Sequence, residues 1–203
     1  MLSFDSEKMT ERENYKILTG SIIPRPVALV TTVSESGTVN VAPFSYFNII
    51  SANPPMVSLS IQRRNGIQKD TARNAVEKGE FVVHITDENI VEEANKTAAE
   101  LPYDESELPL STLTPAESSS IAVPGIKEAK VRFECIVEDT LQLGGTDTKP
   151  ACDLLIGRVV TYHIEPTIYN DGKIDANGLK PISRLAGNNY AKLGETFSLK
   201  RPR

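Results

Sequence analysis

From Val27 to Gln62 the chain alternates small or β-branched apolar residues with hydroxyls and amides, and this period of two predicts strands. Val27 to Ser34 and Thr38 to Phe44 flank the turn-forming Glu35-Ser36-Gly37, so the pair reads as a hairpin. Asn53-Pro54-Pro55 interrupts, since proline has no N–H for a ladder, and "MVSLSIQ" resumes as a third strand with serines and apolar residues on opposite faces. The period then changes. "KDTARNAVEKG" predicts a short helix capped by Asp70 or Thr71, with Ala72, Ala75 and Val76 facing inward and Gly79 ending it. "EFVVHIT" is a fourth strand. Asp87 to Glu100, with apolar residues at Ile90, Val91, Ala94 and Ala98, predicts a second, outer helix. "AKVRFECIVEDTLQLG" and "CDLLIGRVVTYHIEP" are two long alternating strands. The proline-, serine- and acid-rich run "LPYDESELPLSTLTPAESSSIAVPGI" before them reads as a surface excursion whose acids are solvated.

Six strands and two helices, joined mostly by tight turns without βαβ alternation, predict a mainly β protein: an antiparallel barrel with helices at its edge. No repeat or second domain is visible. The expectation is one domain over 1–203, with the barrel in about 15–165 and a C-terminal extension in 166–203.

A chain of 203 residues is long enough for one sizeable core. The net charge of −5 disfavours nucleic acid, because phosphate backbones require clustered Lys and Arg. No run approaches the roughly 18 apolar residues of a membrane span. The N-terminal stretch lacks the basic region, apolar segment and cleavage site of an export signal, so the cytoplasm is the expected location. Cys135 and Cys152, without CxxC or nearby histidine, read as buried, reduced thiols.

Neither GxGxxG nor GxxxxGK[ST] occurs, which argues against a Rossmann dinucleotide site and against nucleotide hydrolysis. Arg63, Arg64 and Lys69 bracket the helix opened by Asp70-Thr71, where cations and free amides would suit a phosphate. The same spacing suits a capped helix beside solvated basic residues, and spacing does not separate the two. "APFSYFNIIS" sets Ser45 and Asn48 among Phe44, Tyr46 and Phe47; a flat heteroaromatic ligand wants that mixture, and so does a strand end packing its aromatics inward. His84 and His163 read as hydrogen-bonded structural histidines. No Ser/His/Asp or Cys/His set emerges, so no catalytic side chain is nominated.

Five ordered stretches, "PRPVALVTTVSESGTVNVAPFSYFNIISANPPMVSLSI", "KDTARNAVEKGEFVVHI", "LPYDESEL", "VRFECIV" and the terminal "DGKID…LKPISRLAGNNYAKLGETFSLKRP", resemble the flavin reductase-like family of FMN-binding split barrels, in particular its flavoredoxin-type branch. The resemblance runs from about Tyr15 to Arg203. It implies a six-stranded Greek-key split barrel, a homodimer with FMN held near the subunit interface, and redox chemistry carried by the flavin. It further implies NADH or NADPH as reductant, or a redox partner protein in its place. By this resemblance Ser45, Tyr46, Phe47 and Asn48 would lie along the isoalloxazine edge, with Ser60 and Ile61 beside the ring or ribityl chain. Lys69, Asp70 and Thr71, with Arg63 or Arg64, would hold the phosphate or ribityl end. Arg25, Arg184 and Tyr190 match positions near the pocket mouth, against flavin, second substrate or partner chain. Small reductases of this family stop soon after the last barrel strand, whereas this chain continues from Asp171 to Arg203. That tail would cover the flavin and limit nicotinamide access.

Overall fold

The computed structural model describes residues 1–146 and 148–202. Seven strands, β1 (Ala28–Val33), β2 (Val39–Phe44), β3 (Phe47–Ala52), β4 (Pro55–Gln62), β5 (Glu80–Ile85), β6 (Val131–Leu143) and β7 (Cys152–Ile164), form one sheet in the order β2-β1-β5-β6-β7-β4-β3. Every pairing is antiparallel. The outermost strands β2 and β3 are consecutive in the chain and separated only by Ser45-Tyr46, so this bend joins the two edges and closes a barrel. The bend also accounts for a seventh strand where six were expected. Phe47–Ala52 leaves the β1 ladder and pairs with β4, showing three exposed residues in a row (Asn48, Ile49, Ile50) and so hiding its strand character from the period-two pattern.

The barrel interior is built by alternation. Ala28 and Val30 of β1, Val57, Leu59 and Ile61 of β4, Phe81 and Val83 of β5, and Leu155 and Val159 of β7 meet in one buried cluster. Gly157 completes it from β7: a Cβ there would lie 2.3 Å from the Phe81 ring, so only glycine fits beneath that aromatic.

The helix α2 (Asp70–Lys78) closes one end of the barrel through Ala72 and Ala75, and Gly79 ends it in the left-handed region at φ 71°. Its start differs from the sequence expectation. Lys69 holds the N-cap position without a side-chain cap; Asp70 pairs instead with Arg73, and Thr71 gives its hydroxyl to Asn40 Oδ1 at 2.8 Å. Val76, expected inward, is exposed, because Thr71 and Asn74 complete the buried face. The second predicted helix contracts to α3 (Val91–Lys96), with Asp87 Oδ1 accepting from the Asn89 and Ile90 amides before it. An additional helix, α1 (Glu11–Ser21), precedes the barrel and opens on a capping box between Thr10 and Glu13.

The acid-rich excursion is not simply solvated. Leu108, Leu113 and Ile126 pack with Leu29, Val41, Ile90 and Ala94 as a second core on the outer face of β1 and β2. Glu107 is buried with them, accepting from Asn40 Nδ2 and from the Val41 amide at 2.9 Å. Such burial raises its carboxyl above the ordinary range, although these hydrogen bonds and that from its own backbone oppose the shift.

His84 is wholly buried: its Nδ1 lies 2.8 Å from the Leu29 carbonyl and its Nε2 accepts from the Ile126 amide at 2.8 Å. This pairing requires the neutral ring with the proton on Nδ1. His163 hydrogen-bonds the buried carboxylate of Glu134, which also accepts from the Ser119 and Ser120 amides. Cys135 is buried and its thiol pushed up by desolvation and by Glu134, whereas Cys152, expected buried, is only half-buried. Among the described residues no helix is long and apolar enough to cross a membrane.

Beyond the barrel, β8 (Ile182–Arg184) and β9 (Tyr190–Lys192) form a hairpin that pairs with Arg25–Pro26 into a three-stranded sheet. This returns the C-terminal extension to the Ser45-Tyr46 bend.

Candidate functional site

Two cavities meet at Lys69 and Ala98. The larger, about 530 Å³, is lined from the bend by Phe44, Ser45 and Tyr46, from β4 by Ser60 and Gln62, and from the hairpin by Arg184, Asn188 and Tyr190. Arg25, Tyr15 and Thr19 complete it. The smaller, about 390 Å³, runs along the start of α2 past Arg64, Lys69, Asp70 and Thr71 to Asn40 and Glu107. Both volumes lie within the range of small-molecule clefts.

Each contribution follows from local structure. Ser60 faces the cleft because β4 alternates, sending Leu59 and Ile61 into the core. Ser45 and Tyr46 sit where the strand changes partners, and the Tyr46 carbonyl still accepts from the Ser60 amide at 2.9 Å, fixing the bend against β4. The Tyr46 phenol titrates above its usual range, chiefly through desolvation. Ser45 Oγ accepts from Arg25 Nε at 3.5 Å and Ser60 Oγ from Gln62 Nε2 at 3.2 Å, so both serines retain a hydroxyl proton to donate.

Of the residues singled out from the sequence, Arg25, Ser45, Tyr46, Ser60, Lys69, Arg184 and Tyr190 converge on the larger cavity, and Lys69, Asp70, Thr71 and Arg64 on the smaller. Phe47 and Asn48 do not line the larger cavity but an adjoining groove that shares Thr19, Arg25, Ser45 and Tyr46 with it. Phe47 also belongs to the core, and Leu18, Ile22 and Pro24 line the groove with them. Ile61 and Arg63 line neither cleft cavity. Ile61 is fully buried in the barrel, and Arg63 grips Asp153 through Nε at 2.8 Å and Nη2 at 2.6 Å. Arg64 reaches across to Glu100. That leaves Lys69 as the basic residue of the smaller cavity with no ion-pair partner among the described residues. Tyr15, Asn95 and Asn188 were not singled out. They belong to the cleft through α1, α3 and the hairpin, whose approach no local spacing encodes.

A flavin phosphate can be tested against this arrangement. The first turn of α2 has no side-chain cap, its axis points its positive end at the smaller cavity, and Lys69 stands beside it. Main-chain amides plus one unpaired ammonium suit a phosphate, while the larger cavity supplies hydroxyl donors, a phenol ring and guanidinium planes for a flat heterocycle. The residues present therefore fit FMN. They do so without the Thr71 proton, which is committed to Asn40.

A sequence profile described as "Flavin reductase like domain" matches residues 19–178. The chain belongs to that family. A structure of nitrilotriacetate monooxygenase component B from Bacillus cereus is 62% identical, covers 98% of each chain and superimposes with a TM-score of 0.97. The 2-nitrobenzoate 2-nitroreductase NbaA of Pseudomonas fluorescens is 26% identical over 99% of this chain and 96% of its own, with a TM-score of 0.88. The protein YwrF of Bacillus subtilis is 53% identical over the whole of both chains. The fold is thus that of split-barrel flavin reductases, and the chain is a flavin-related oxidoreductase by family. The profile ends before β8, so Arg184, Asn188 and Tyr190 are cleft residues from outside the matched region.

Proposed function

We propose that this protein binds FMN and uses NADH or NADPH to reduce it, passing electrons to free flavin or to another acceptor such as a partner monooxygenase. The convergence of Ser45, Tyr46, Ser60, Arg184 and Tyr190 on one cavity, continuous at Lys69 with the uncapped start of α2, carries this reading. FMN, when bound, supplies the hydride-accepting chemistry that the side chains lack. Lys69 and the first α2 amides hold the phosphate; the Ser45 and Ser60 hydroxyls donate to the polar edge and chain of the ligand; Tyr46 provides a flat wall. The likeness to a monooxygenase component B supports delivery to a second protein. Anaerobic absorbance spectra test it: FMN-loaded protein should bleach on adding NADH or NADPH, and persistence of the oxidised spectrum with both would refute it.

The folded-back hairpin favours a second reading, a flavoredoxin-like carrier whose tightly held FMN is reduced by a protein, because β8 and β9 already occupy one wall of the cleft. FMN that survives gel filtration, stays inert to nicotinamides and oxidises a reduced partner would select it.

The proposal includes a homodimer acting in the cytoplasm. Ile49, Ile50, Leu18 and Ile22 are exposed apolar side chains, and Leu18 and Ile22 line the groove that adjoins the cleft, the kind of surface a second copy would cover. A monomer by light scattering that still binds FMN would remove this element.

A further inference from the structure

Arg25 is 7% exposed, yet no carboxylate pairs with it among the described residues. Its guanidinium is satisfied by carbonyls. Nη1 donates to Thr19 O at 2.8 Å and to Ile22 O at 2.5 Å, Nη2 donates to Leu185 O at 2.9 Å, and Nε donates to Ser45 Oγ at 3.5 Å. Four partners thus come from three separate segments: the end of α1, the loop between β8 and β9, and the strand bend at the cleft. Only a planar fork with five donors spans such a set, and the carbonyls at the end of α1 carry the negative end of its dipole.

The strands β8 and β9 have other ties, through Arg25–Pro26, Ile182 N to Thr86 O and Lys192 Nζ to Glu88, but the loop between them relies on this contact. Within 185–189 the other hydrogen bonds are internal: Leu185 N to Asn189 O, Asn189 N to Ala186 O, and Arg184 Nη2 to Gly187 O. The bond from Arg25 to Leu185 O ties that loop to the rest of the chain, between the cleft residues Arg184 and Tyr190. In α1, Thr19 is the one buried residue, so packing alone holds that helix weakly.

We propose that Arg25 is a positioning residue, a latch that pins the loop between β8 and β9 and the end of α1 as walls of the cleft and thereby sets how long a bound flavin is retained. The latch rests on the geometry above; the retention rests on the FMN reading.

Hydrogen exchange read by mass spectrometry on FMN-free Arg25→Ala and Arg25→Lys proteins separates the two. Loss of several hydrogen bonds of ordinary strength predicts exchange ~10-fold or more faster in peptides covering 182–192 and 11–22 of Arg25→Ala, with β5, β6 and β7 unchanged. Arg25→Lys keeps the charge but not the fork, and should fall between wild type and alanine. It carries the test alone if the alanine protein does not fold. Unchanged exchange in both segments, acceleration spread evenly over the barrel, or full restoration by lysine would each overturn the latch. In FMN-loaded protein the flavin release rate should rise ~10-fold in Arg25→Ala. Localised exchange with unaltered release would overturn the retention role, whereas wild-type protein that takes up no FMN would sink the flavin reading and leave exchange to decide the latch.

Discussion

Arg63 and Arg25 are both poorly exposed guanidiniums, one at the end of β4 and the other at the cleft mouth, and they are compensated in opposite ways. Arg63 meets Asp153 in a two-point ion pair, with Gln68 Nε2 donating to the same carboxylate at 3.2 Å. Arg25 meets only carbonyls and a hydroxyl. A carboxylate cancels charge and locks geometry, whereas carbonyl dipoles spread it and leave a net cation beside Ser45. The first arrangement builds a barrel end; the second places a positive field where three segments meet, at the site proposed for a ligand.

Breaking the barrel-side pair should produce the largest effect. Arg63→Ala strands the buried Asp153 carboxylate and is expected to cost about 3–5 kcal/mol in denaturant unfolding, while replacing both partners with apolar residues should recover much of that loss. Equal losses in the single and double variants would show that the pair is not what holds this end together.

A pH series sharpens the contrast from the outer face of β5, where His84 meets the second core. His84 is held neutral, its pKa lowered to about 4 from 6.5, chiefly by desolvation. The unfolded chain therefore binds the extra proton first. The stabilisation from the neutral ring is present above pH 6.5 and is lost as pH falls toward 4, by about 3 kcal/mol in all. The stability difference between wild type and His84→Gln should carry this slope; parallel pH profiles would contradict it.

At the cleft, Lys69→Met is expected to weaken FMN binding by about 10- to 100-fold, the range of one charge-assisted hydrogen bond, with little change in melting temperature because the residue is exposed. Fluorescence titration of FMN checks this, and an unchanged affinity would move the phosphate away from α2. The smallest effect belongs to Arg64→Ala. Its pair with Glu100 is solvent-exposed on both sides, so unfolding should change by less than about 1 kcal/mol, and FMN affinity should fall less than for Lys69→Met.

Much of the barrel was legible in the chain. Alternation in Val27–Ser34, Thr38–Phe44, "MVSLSIQ" and the two long strands marked elements that form as read, because one buried face and one outer face impose a period of two. Gly79 marked a helix end for an equally local reason, its freedom at positive φ. Phe47–Ala52 escaped, since a strand that changes partners and exposes successive residues shows no such period. Glu107 escaped because an acid in a loop-like segment looks solvated until Asn40 and the Val41 amide are brought to it.

The arginines divide what the chain alone determines from what folding decides. Residue types and periodicity placed cations, hydroxyls and aromatics near a strand end and a helix start, and the motifs pointed to the family that the profile match shows. They did not establish which cations are spent. Asp153 lies 90 residues from Arg63, and Leu185 lies 160 from Arg25. Local spacing carries no trace of partners so distant; only closure of the barrel and the return of the hairpin bring them within hydrogen-bond reach, occupying Arg63, holding Arg25 as a strut and leaving Lys69 open.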